Sequence, residues 1–162
     1  MKNVNEWIEQ LHLVAHPEGG FYRENGKSNK DISTSTGPRP LHTSILFLLT
    51  SDSPSHFHRL TSDEMWFYHD GEPLIIHCLY PNGTYEAITI GPDIKNGQQL
   101  SWTVPAGTIF GSTVNNDFAL VSCVVTPGFT FNDFELFTQA QLMALYPQHT
   151  DIIKKLAYQE LP

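Results

Sequence analysis

Ser55-His56-Phe57-His58-Arg59-Leu60-Thr61-Ser62-Asp63-Glu64-Met65-Trp66-Phe67-Tyr68-His69-Asp70-Gly71 is the stretch on which the fold turns. Side chains two apart on a strand share a face, so His56 and His58 are expected to project together to one side of a sheet. Glu64, Trp66 and Tyr68 keep the same alternation, and Asp63 is sent to the opposite face. Asp70-Gly71 then reads as a type I′ hairpin, whose central residues both need positive φ. A two-residue loop there places His77 directly across from Glu64. Three imidazoles and one carboxylate are thereby expected around one point.

Outward from this stretch, short β-branched and aromatic runs recur between turn residues. They predict strands near 42–50, 55–59, 64–69, 73–80, 84–90, 99–104, 108–113 and 118–126, the signature of a sandwich or barrel. Asn82-Gly83 is a second hairpin signal. At the N-terminus, Asn3 and Glu6 form a capping-box pattern and Trp7, Ile8 and Leu11 share a helical face. His16-Pro17-Glu18-Gly19-Gly20 ends that helix and leads into an extended segment. Residues 27–40, rich in Ser, Thr, Gly and Pro, are expected to be a mobile loop. After Pro127-Gly128, Thr138 and Gln141 repeat the capping box, Pro147 stops the run, and a helical tail covers about 138–160. The reading is of one mainly β domain, with the barrel at about 41–126 between an N-terminal helix and arm and C-terminal helices.

Composition agrees with one folded core in 162 residues, 40% of them apolar and 12% aromatic. The formal charge of -8 disfavours a phosphate backbone as partner, so no nucleic acid is expected. No apolar run reaches membrane-spanning length and no signal peptide opens the chain, which predicts a cytoplasmic protein. Cys78 and Cys123, the two cysteines, sit in apolar strand-like runs and read as buried free thiols.

These residues carry a family resemblance. His56, His58, Glu64 and Gly71 resemble the first cupin motif, with a spacer one residue longer than usual, and Pro105-Ala106-Gly107 resembles the second. Phe110 stands where metal-binding cupins carry a further histidine. Four blocks spread over nearly the whole chain resemble the fifth cupin family, domain-of-unknown-function family 985. They are His16-Pro17-Glu18-Gly19-Gly20-x-Tyr22; Ser55 to Arg59 with Ser62 to Trp66; Val104 to Gly107 with Phe110-Gly111; and Pro127-Gly128-Phe129 with Asp133 to Leu136. The resemblance implies a double-stranded β-helix, a jelly-roll-like antiparallel barrel, commonly a homodimer and related in architecture to sugar-nucleotide epimerases. It implies no settled reaction.

The candidate acid–base residues are His58, Tyr68 and Glu64, because proton transfer beside a carbonyl needs a base and an acid. His56, Trp66, His77, Phe110, Glu18 and Tyr22 are the candidate ligand-binding residues. His56, His58 and Glu64 are the candidate ligands for iron, manganese, nickel or zinc, with His77 as a fourth. Arg23 and Arg59 have the guanidinium geometry for an anionic group, though Arg59 is expected to point outward. Three functions follow: an isomerase or epimerase of a small carbonyl or sugar-like compound, a non-catalytic ligand-binding or sensing barrel, and a metal-dependent oxygenase or isomerase.

Overall fold

The computed structural model describes residues 3–162. Helix α1 (Val4–Leu11) begins at the expected capping box, with Asn3 and Glu6 bonded reciprocally. Fifteen further elements follow: β1 (Val14–Ala15), β2 (Phe21–Lys27), β3 (Asp31–Thr34), β4 (Gly37–Pro40), β5 (Thr43–Thr50), β6 (Ser55–Leu60), β7 (Asp63–Gly71), β8 (Leu74–Leu79), β9 (Tyr85–Ile90), β10 (Ser101–Val104), β11 (Ile109–Val114), β12 (Phe118–Thr126), β13 (Phe134–Leu136), α2 (Gln139–Leu145) and α3 (Thr150–Leu156), the last two joined by a 3₁₀ turn at Pro147–His149. The eight strands anticipated between 42 and 126 are all present, with ends displaced by two residues or fewer.

The strands form two antiparallel sheets, ordered β1-β2-β5-β12-β7-β10 and β13-β6-β11-β8-β9. Their inner faces enclose a core of Phe47, Leu49, Trp66, Ile76, Phe110 and Val121. The five-stranded sheet also buries its outer face, where Phe57, Leu79 and Ile109 meet Leu142, Ile153 and Leu156 of the C-terminal helices. Helix α1 does the same for one end of the six-stranded sheet, through Trp7, Ile8 and Leu11 over Leu48 and Leu120. Among the described residues no helix is long and apolar enough to cross a membrane.

Two expectations fail for identifiable reasons. Asp70-Gly71 does not join paired strands. β7 runs alongside β12 as far as Gly71, where Glu72 N–H donates to Phe118 O at 2.7 Å, and the chain then crosses to the other sheet. The turn signal is real, with Gly71 at φ 87°, but it turns a corner between sheets. His77 therefore does not face Glu64. On β11, Phe110 pairs with His58 and Gly111 with His77, and adjacent positions of a strand project to opposite sides. His77 lies on the outer face, between Tyr85 Oη (2.7 Å) and Thr113 Oγ1 (2.8 Å).

The 27–40 segment is likewise not an irregular loop, since β3 and β4 pair across it as a hairpin. Its anchor is Arg39, 4% exposed, which donates to Gly128 O, Pro127 O and Thr61 Oγ1 and lies 3.4 Å from the Asp133 carboxylate. A turn-rich composition describes the tip, and one buried ion pair decides the rest. Asn82-Gly83 does close a hairpin, with Tyr80 and Thr84 bonded across a three-residue loop between β8 and β9.

Candidate active site

The site is built where the arm between α1 and β2 meets the start of β6. His16 to Gly20 folds into a tight turn in which Gly19 N–H donates to His16 O and His16 N–H to Gly20 O, both at 3.0 Å. Gly19 has φ 108°, and a Cβ there would lie 1.9 Å from Pro54 O, so only glycine lets the turn press this closely on the strand. Glu18 O then receives the backbone N–H of His56 at 2.7 Å and its Nδ1–H at 2.8 Å. The effect is to drive the Glu18 side chain inward, to 6% exposure.

A β-bulge decides what it meets. Opposite Phe110 and Ser112 of β11 stand His58 and Ser55, so three steps on β6 match two on β11. Gly111 fits the gap, since a Cβ there would be 2.6 Å from Ser55 O. The extra residue takes His56 out of the inward row and gives its seat to Ser55. Ser55 Oγ–H donates to Glu18 Oε1 at 2.8 Å, and Glu18 Oε2 lies 3.2 Å from His58 Nε2. His58 Nδ1 is 2.7 Å from His56 O. A carbonyl only accepts, so the Nδ1 proton is fixed there and one proton is shared between Nε2 and Oε2.

Burial sets the form of this pair. It holds the Glu18 carboxyl well above the usual carboxylate range, with the nearby Glu64 carboxylate adding to the effect and Ser55 opposing it. It lowers His58 to about 3. Both directions favour carboxylic acid beside neutral imidazole over an ion pair. Glu64, also buried, is pushed up to about 8, although the Cys123 thiol and the Trp66 indole favour its ionised form. His16 falls to about 4 through burial. Its Nδ1 accepts from Glu18 N–H at 3.1 Å, so the ring's proton sits on Nε2.

These groups line a cavity of 140 Å³ that opens between the sheets, enough for a compound with about one ring. Tyr22, Leu60, Val125, Phe129 and Phe131 supply most of its apolar wall. Phe129, Phe131 and Phe134 pack edge to face with centroids 5.0–5.9 Å apart. The Arg39 anchor holds the backbone of this mouth segment.

Of the residues expected at the site, Glu18, Tyr22, His58 and Glu64 line the cavity. The others lie elsewhere. His56 stacks on Tyr158 with centroids 3.8 Å apart. Tyr68 donates its hydroxyl to Gly71 O at 2.6 Å and is not a wall residue, so it is not the acid facing His58. Trp66 and Phe110 are fully buried rings packed behind His58, whose centroid is 4.3 Å from that of Phe110. Arg23 alternates away from the cavity between Tyr22 and Glu24, and Arg59 points outward as expected, bonded to Glu135 at 2.6 Å. Reading the sequence by alternation missed His16, Glu24, Cys123, Phe129 and Phe131. His16, Cys123 and Phe129 lay within stretches already singled out, and what brings them together is tertiary.

The arrangement does not suit a bound metal. The expected set of His56, His58 and Glu64 is broken by the bulge, His58 Nε2 is engaged by Glu18, and a phenyl ring stands at position 110. Among the described residues no group of three His, Cys, Asp or Glu side chains is placed to hold a metal ion.

Comparison with known proteins agrees with this architecture. A solved structure of a hypothetical protein from Leishmania major superposes with a TM-score of 0.92 at 44% identity, covering 97% of this chain and 99% of that one. A protein from Shewanella oneidensis gives a TM-score of 0.93 at 46% identity, covering 99% and 100%. Oxalate decarboxylase from Bacillus subtilis shares the fold at 14% identity and a TM-score of 0.58, with 93% of this chain covering 38% of that one. An uncharacterised protein of Saccharomyces cerevisiae is 32% identical over 147 residues, 80% of this chain and 71% of its own length. The model of the Cupin superfamily (DUF985) matches residues 5–137, and the chain therefore belongs to that family of cupins.

Proposed function

We propose that this cupin binds a small, ring-sized carbonyl compound in the barrel and moves a proton on it, as an isomerase or epimerase does. The observation that supports this reading is the Glu18–His58 pair, 3.2 Å apart, buried, and sharing one proton because Nδ1 of His58 is committed to a carbonyl. Passing that proton to Nε2 leaves Glu18 as a carboxylate able to take a proton from carbon beside the carbonyl. The electron pair moves to the carbonyl oxygen, which His16 Nε2–H can stabilise as a neutral donor. Returning the proton from Glu18 to the former carbonyl carbon of an α-hydroxy ketone, while the hydroxyl proton passes to the first oxygen and a carbonyl forms in its place, completes an isomerisation and restores the Glu18–His58 pair. Return to the original carbon gives exchange alone. No protein acceptor takes the His16 Nε2–H among the described residues, which suits that role. Trp66, Phe110 and the collar of phenylalanines limit water around the pair.

Incubation of the protein in D₂O with a panel of cyclic and α-hydroxy ketones, followed by proton NMR, tests the reading. Deuterium should enter the carbon beside the carbonyl with wild type, and not with Glu18→Gln or His58→Ala. A second reading, binding without turnover, is favoured by the way Ser55 and His58 already satisfy both Glu18 oxygens. Tight binding of compounds recovered with no exchange would select it.

A further inference from the structure

Among the described residues three carboxyl side chains line the cavity, Glu18, Glu24 and Glu64, and neither lysine nor arginine does. Glu18 is occupied by Ser55 and His58. Glu64 is different: it is 6% exposed, it lines the cavity, and its Oε2 makes no hydrogen bond of good geometry among the described residues, although the Trp66 indole and the Cys123 thiol lie near enough to favour its ionised form. A buried acceptor left unmatched is costly, and the cost is removed by any ligand that brings a donor to it. Further out, the walls are the rings of Tyr22, Phe129 and Phe131, whose electron-rich faces attract positive charge. An anionic ligand would meet three carboxyl groups and no counter-charge.

We propose that the ligand carries a cationic N–H group, an ammonium or amidinium on a ring-sized framework, which donates to Glu64 Oε2 while the ring lies against Phe129 and Phe131. This rests on reading the cavity as the ligand site and adds the charge class of its occupant. Phosphorylated and carboxylate-bearing compounds are thereby excluded. The other titratable groups facing Glu64 are Glu18, His16 and His58, Cys123 beside it on β12, and Glu24 and Tyr22 at the mouth. A cation favours the ionised form of Glu64, so binding should release a proton from it below about pH 8.

Calorimetric titration of the whole protein with benzamidinium, benzamide and benzoate, one ring with three charges, tests the proposal. Benzamidinium should bind at least about tenfold tighter than benzamide, and benzoate should not bind. Its affinity should rise about tenfold per pH unit from pH 6 towards 8 and flatten above. Glu64→Gln should lose both the preference and the slope, and the wild-type pH profile carries the same information should that variant not fold. Benzoate binding as well as benzamidinium, or a preference that survives Glu64→Gln, would overturn the assignment. Deuterium exchange on neutral ketones without any cation preference would overturn it too, while leaving the proton-transfer reading standing. Benzamidinium binding without exchange on any ketone supports the charge assignment and removes proton transfer. Failure of all three probes together with absence of exchange overturns both.

Discussion

His58 and His77 occupy the two faces of one sheet, on β6 and β8 either side of β11, and burial lowers both, to about 3 and about 4. Their surroundings separate them. His77 is held by two hydroxyls, Tyr85 and Thr113, neither of which ionises near neutral pH. His58 has a carbonyl on one nitrogen and a carboxyl on the other. Burial and a depressed pKa are thus common to a histidine held between two hydroxyls and one set against a carboxyl, and the partner distinguishes them.

The largest expected effect breaks the comparison on the cavity side. Glu18→Gln and His58→Ala should each lower the rate of deuterium exchange by roughly 10²–10⁴-fold, and His77→Ala should leave it unchanged. Urea denaturation should show the reverse for His77→Ala. That variant strands the Tyr85 and Thr113 hydroxyls beneath α3 and is expected to cost about 2–3 kcal/mol.

The pH dependence of stability separates the histidines from the carboxyls. His16, His58 and His77 have folded pKa values below that of the unfolded chain, so each contributes stability that is complete above about pH 6.5. That stability is lost as the pH falls towards about 4 for His16 and His77 and about 3 for His58. Glu64 has the opposite sign. Its folded value of about 8 lies above the unfolded one, so stability falls as the pH rises from about 4.5 to 8. Between about 4.5 and 6.5 the three histidines outnumber the raised carboxyls Glu64 and Glu18, so thermal melts should place the optimum near pH 6.5, above which only the carboxyls' loss remains. Glu64→Gln should gain on the order of 1–2 kcal/mol at pH 8.5 and nothing near pH 4. Phe131→Ala, at a half-exposed mouth position, is expected to change stability by under about 0.5 kcal/mol, and its benzamidinium affinity should fall a few-fold by calorimetry.

Strand positions were legible because alternation and turn residues are local properties, and every strand from β5 to β12 is where they put it. What alternation cannot show is which strands pair. Asp70-Gly71 signals a reversal equally well for a hairpin and for a corner between sheets, and the choice moved His77 from the lumen to the outer face. The bulge at Ser55–Phe57 is invisible for the same reason, because it exists only in the register against Phe110 and Ser112. Glu18 stands in the His16–Tyr22 block that carries the family resemblance, but its bond to His58 spans two elements. Arg39 shows the converse. Its surroundings in sequence are those of a loop, and its partners at 127–133 are nearly a hundred residues away.

The additional residue in β6 sets which side chain reaches the lumen. Excision of Ser55 alone would close the register and seat the His56 ring opposite Ser112, replacing the hydroxyl that now steadies Glu18 with a second imidazole in the lumen. One unpaired residue in a strand thus decides whether a hydroxyl or an imidazole stands beside the buried Glu18 carboxyl.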